Sequence, residues 1–146
     1  EDVNQFKTLL TSLPPHPDVV PGLKRLQAAG FRLATLTNSP PSPSPTLLEK
    51  AGISHFFEQH FSVDSVRAFK PHPSTYAYAA KELNVELEQI CLVACHLWDT
   101  IGAQAAGCAG AFITRPNNNI LSAENVPQPD FIAQNLKQLA DKLADL

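Results

Sequence analysis

The chain has 146 residues, of which 44% are apolar and 17% charged, and its formal net charge is −3. That length fits one domain, and that apolar fraction is enough to bury a core. Interspersed charges of slightly acidic balance argue against nucleic acid as a partner, and no apolar run approaches the ~18 residues that a membrane span needs.

Residues 1–12 read as the tail of a helix, with Val3, Phe6, Leu9 and Leu10 at helical spacing, ended by Pro14, Pro15 and Pro17. Residues 19–29 form a second helix that turns Val20, Leu23 and Leu26 inward and stops at Gly30. An apolar strand over 31–36 then ends in Thr37-Asn38-Ser39. Pro40, Pro41, Pro43 and Pro45 make a stiff loop, read equally as a rigid linker or as the rim of a site. A short helix over 46–51 closes at Gly52. The stretch 56–64 holds the next strand, and 61–66 leads to Phe69-Lys70-Pro71.

Residues 73–83 are helical, with Tyr76, Ala79, Ala80 and Leu83 inward, and a strand follows over 90–94. It runs into Cys95-His96-Leu97-Trp98-Asp99 and then into a small-residue helix over 101–109. Short strands over 111–114 and 131–133 precede a final amphipathic helix capped by Asn135, with Leu136, Leu139 and Leu143 on its apolar face. The alternation of strand and helix implies an α/β fold, a parallel Rossmann-like sheet with helices on both faces.

In such a sheet, ligands bind in the crevice at the carboxyl ends of the strands. Hydroxyl and amide, then lysine, then carboxylate follow three successive strands here. Thr37 and Asn38 can bind an anionic group or serve as turn residues, and binding is the favoured reading. Lys70 is held at a strand exit by Pro71. There its ammonium can keep a neighbouring carboxylate ionised. Asp99 stands at the mouth of the crevice, its alternative role being simple charge complementarity at a helix amino end. Cys91, Cys95 and Cys108 are odd in number and read as small apolar residues in a reducing, cytoplasmic setting. No zinc site is expected, because no second pair of ligands has metal-site spacing.

Three stretches together carry a family resemblance: 33–39 around Thr37-Asn38-Ser39, 66–71 around Lys70, and 93–103 around Trp98-Asp99. They resemble, in order and spacing, the second, third and fourth motifs of the haloacid dehalogenase superfamily, type II branch. The resemblance implies residues 1–17 as the tail of a helical cap and hinge, and 18–146 as a haloacid dehalogenase-like core lacking its first strand. That first motif, an aspartate-rich strand end that supplies the nucleophile, has no counterpart before Thr37; Asp2 and Asp18 lie in other contexts. The chain also has no methionine, so Glu1 reads as the start of a fragment or a processed form.

The implied reaction is hydrolytic dehalogenation of a small 2-haloacid through an aspartyl ester in the intact parent, the present chain being inactive alone. Lys70 and Asp99 are the implied catalytic residues, with Thr37, Asn38, Tyr76, His96 and Trp98 toward the substrate. His96 reads equally as a hydrogen-bonding group or a structural histidine, and Trp98 as a pocket wall or core. No metal or cofactor is expected. A magnesium-dependent phosphatase of the same superfamily is the alternative, disfavoured because Ala94-Cys95-His96 replaces that branch's Gly-Asp-Ser and Cys95 offers no oxygen ligand. A degenerate, non-catalytic binding domain is a third reading. Expected partners are the small-molecule substrate and either a second copy of the chain or the missing front section, with no membrane. The place between the strands at 31–36 and 90–94 should be closed by their direct pairing or filled by one of those partners.

Overall fold

Local capping decides where most elements begin and end in the computed structural model, which describes residues 2–10, 12–41 and 46–145. Helix α1 (Asp2–Leu10) is followed by α2 (Val19–Ala28), β1 (Ala34–Thr37) and a short α3 (Leu47–Lys50). Thr46 and Glu49 close a reciprocal capping box at the start of α3, the sequence signature that fixes a helix entry. Next come β2 (Gln59–Ser62), α4 (Pro73–Leu83), β3 (Cys91–Ala94) and α5 (Leu97–Ala106). The chain finishes with β4 (Ala109–Ile113), β5 (Phe131–Ala133) and α6 (Leu136–Ala144), the last capped by the Asn135 side chain as expected.

Several expected boundaries move, and those of three elements have a plain local reason. Strand β1 starts at Ala34 because the Phe31 N–H is spent on the Leu26 carbonyl, closing α2 through Gly30. Strand β2 ends at Ser62, whose hydroxyl accepts the Asp64 N–H and winds Val63–Val66 into a 3-10 turn. Helix α5 begins at Leu97, which puts Asp99 inside its first turn, and it stops at Gly107, whose φ of 105° needs glycine. Of the expected proline loop, residues 42–45 lie outside the described residues.

All strand pairings are parallel, as the alternation implied, but they form two sheets, β1-β2 and β3-β4-β5. Of the outcomes expected for the place between the two flanking strands, their direct pairing is not found among the described residues. Each is held by its own neighbours instead, and a cavity of about 650 Å³ separates them. Helices cover both faces. Leu26, Leu139, Ala140 and Leu143 of α2 and α6 pack on β4 and β5 with Leu33 and Cys91 beside them. Tyr76, Ala103 and Cys108 pack on the opposite face with Leu36 and Leu92. By contrast, Val3, Phe6 and Leu9 of α1 and the nearby Leu13 are exposed.

Asp18 precedes α2 without capping it. Its carboxylate instead accepts two bonds from the Arg115 guanidinium, at 2.8 and 2.9 Å, and a third from the Leu136 N–H at 2.7 Å. One carboxylate thus joins the start of α2, the loop after β4 and the start of α6. The Arg115 bonds, most of all, hold its pKa at about 2 against a usual 3.8. A carboxyl depressed in the fold stabilises above its unfolded pKa and loses that contribution as pH falls through the folded value. Asp18→Asn should therefore cost about 1–2 kcal/mol at pH 7, shrinking toward zero near pH 2. Urea unfolding of both proteins across that range measures it; a cost that does not change with pH would contradict the assignment.

Candidate active site

The two sheets meet at the carboxyl ends of β1 and β3, and Lys70 joins them there. Its backbone N–H donates to Asn38 Oδ1 at 3.0 Å, directly after β1. Its ammonium donates to Asp99 Oδ2 at 2.8 Å, in the helix that follows β3. Both side chains are largely withdrawn from water, 11% exposed for Lys70 and 6% for Asp99. An ion pair so placed is held by short geometry and further hydrogen bonds, since desolvation of each charge costs several kcal/mol.

Tyr76 supplies the further bond. It is buried in α4, and its hydroxyl lies 3.2 Å from both Asp99 Oδ1 and the Asp99 carbonyl. Burial first, then the charge of Asp99, push the Tyr76 phenol well above its ordinary range, so it remains a donor. Tyr76 therefore enters the site as the residue that holds Asp99. Each Asp99 oxygen has a partner, an ammonium on one and a phenol on the other.

The remaining expected residues occupy the rim. Thr37 Oγ1 accepts the Ser39 N–H at 3.1 Å, the turn role its type allows, and Asn38 keeps its amide N–H groups for another acceptor. His96 precedes α5 without capping it, and its ring stacks on Trp98 at 5.6 Å between centroids. Trp98 is 43% exposed and Phe69 71%, each next in the chain to a member of the ion pair. Among the described residues no three His, Cys, Asp or Glu side chains cluster as a metal site. Cys91 and Cys108 are free thiols that burial, above all, raises to about 11, which suits the apolar role read from the sequence.

Two contributions to the site come from tertiary contacts. Asn38 was expected to bind an anion, yet one of its atoms fixes the Lys70 backbone. Gly102, one turn after Asp99, lets α5 approach Pro71 and Tyr76 closely. A Cβ there would overlap Pro71 Cβ and lie 2.7 Å from the Tyr76 hydroxyl. The run of small residues in α5 was the signal for this packing.

With this geometry in place, the chain can be set beside known proteins. Residues 2–107 match the model of the haloacid dehalogenase-like hydrolases, and the chain belongs to that family. It is 36% identical to haloacetate dehalogenase H-2 of Moraxella sp. over 103 residues, covering 70% of this chain and 46% of that protein. It is 38% identical to a phosphoglycolate phosphatase of Colwellia psychrerythraea over 99 residues, covering 68% of this chain and 44% of that one. The L-2-haloacid dehalogenase of Xanthobacter autotrophicus superposes with a TM-score of 0.79 at 27% identity, over 91% of this chain and 62% of that one. The chain thus spans about half the length of these curated relatives.

Gly102→Ala should cost about 1–3 kcal/mol, because neither proline backbone nor a buried phenol can move aside freely. Thermal unfolding gives the cost. An unchanged midpoint would show that α5 is not packed as tightly as described.

Proposed function

We propose that the chain provides the lysine–aspartate part of an active site that hydrolyses the carbon–halogen bond of a small 2-haloacid. A carboxylate carried on a further segment attacks carbon 2, an ester bond forms, and halide leaves with the bonding electron pair. Water then adds to the ester carbonyl, the 2-hydroxyacid departs, and the carboxylate is regenerated with release of one proton. Lys70 keeps the attacking carboxylate ionised. Asp99, fixed by Tyr76, orients Lys70. Thr37 and Asn38 offer a hydroxyl and an amide to the substrate carboxylate, and Trp98 with His96 forms one wall. The 146 residues alone hold Asp99 as the carboxylate beside Lys70, and its oxygens are engaged, so on this reading they do not turn over.

The residues around Asp99 and at the end of β3 support the choice between the two activities that the relatives' names present. A phosphatase of this superfamily would bring magnesium, a hard cation that takes oxygen ligands. Asp99 has an ammonium on one oxygen and a phenol on the other, and the end of β3 offers Ala94, Cys95 and His96. These residues do not fit the metal. The phosphatase remains the second reading because the Colwellia enzyme shares 38% of aligned residues.

In a protein that joins this chain to a nucleophile-bearing segment, halide release from 2-chloropropionate should persist in a chelator. Lys70→Ala and Asp99→Asn should each lower kcat by about 10²–10³-fold, the scale of losing one preorganised electrostatic group. Phosphate-ester hydrolysis that stops on chelation and returns with magnesium would give the site to the phosphatase. Turnover of neither substrate would leave it a binding domain.

A further inference from the structure

We propose that the cavity beside Phe69 is a second carboxylate site, anchored by Arg67, which selects 2-halo dicarboxylic acids over 2-halo monoacids. It deepens the functional reading and rests on it for the reaction, whereas the binding of a diacid is measured without turnover.

The cavity has a volume of about 340 Å³. The loop after β1 lines it with Asn38 and Pro40, and the turn after β2 with Val63, Asp64, Arg67 and Phe69. Two of these residues adjoin the ion pair. Phe69 precedes Lys70 in the chain, and the Asn38 amide oxygen accepts the Lys70 N–H. Three residues of chain span at most ~11 Å. The side chains of Arg67 and Lys70 are thus within reach of the two ends of one small molecule.

Arg67 is the group that suits an anion. The chain has three other arginines, Arg25, Arg32 and Arg115, and each is paired with a carboxylate. Arg67 is exposed and has no ion pair among the described residues. Its planar guanidinium can give two parallel bonds to one carboxylate. Its backbone lies in the left-handed region, with φ 51° and ψ 36°, where glycine would be more at ease. Such conformations cost free energy and gather at functional sites.

The other walls fit the rest of the ligand. The Asn38 amide nitrogen carries two N–H groups, enough for a carboxylate in the cavity and another beside Lys70. Pro40, Val63 and Phe69 offer apolar surface to the carbon chain between them. Asp64 is the one acidic group on the wall among the described residues, and it is exposed, so water screens it. Its charge opposes an anion, which gives the proposal a sign to check.

The test is an NMR titration of the 146-residue chain with 2-chlorosuccinate and with 2-chloropropionate. The diacid should bind about tenfold more tightly, the scale of one charge-assisted hydrogen bond. It should shift the Arg67 Nε–H and the Asn38 side-chain amide together. Arg67→Gln should bring the two affinities level and leave that of the monoacid unchanged. Arg67→Gly, which eases the backbone, should lose the preference too, so a distorted turn is not its cause. Asp64→Asn should tighten diacid binding by about two- to fivefold.

Equal affinity for the two acids, or a diacid preference that survives in Arg67→Gln or Arg67→Gly, would overturn the proposal. So would weaker diacid binding in Asp64→Asn, which would give the cavity to a cation. Diacid binding that depends on Arg67, without halide release in a protein that also carries the nucleophile segment, would leave the carboxylate site standing and remove the dehalogenase reading.

Discussion

The Lys70–Asp99 ion pair is the constraint on which the rest of this structure depends. Two opposite charges sit 2.8 Å apart in a place that water barely reaches. In isolation either would be strongly destabilising there. The fold answers with Tyr76 on the second carboxylate oxygen and Asn38 on the lysine backbone, which draws α4, α5 and the end of β1 to one point. Because β1 and β3 belong to different sheets, this point is also a polar clasp between the two halves.

Packing then determines how firmly that point is held. Gly102 admits Pro71 and the Tyr76 hydroxyl against α5, so the phenol that orients Asp99 is itself locked by a helix contact. On the other face, Asp18 gathers α2, Arg115 and α6 around one carboxylate. The rigid elements surround the carboxyl ends of the strands, where ligands of such sheets bind. The aromatic groups Phe69 and Trp98 and the apolar stripe of α1 remain turned to solvent.

Much of this was legible in the sequence because periodicity and caps are local. Helix α4 lies where the spacing of Tyr76, Ala79 and Ala80 put it, and Asn135 caps α6 through its own side chain. Thr37, Lys70 and Asp99 stand out in the sequence because strand ends in an α/β chain announce a crevice. What escaped was set by contacts between distant residues. Phe31 looks like the start of a strand, but its N–H belongs to the end of α2. The side-chain partner of Asp18, Arg115, is 97 residues away. The spacing of Tyr76 in the sequence does not reveal that its hydroxyl is bonded to Asp99.

A double-mutant cycle on the ion pair tests the central claim most directly, with Lys70→Met, Asp99→Asn and the double variant compared by urea unfolding at pH 7. If the pair is the clasp described here, each single change strands a buried partner. The double change should then cost less than the sum of the singles, with a coupling of about 1–3 kcal/mol. Additive costs would contradict it, showing that Lys70 and Asp99 reside near each other without depending on each other.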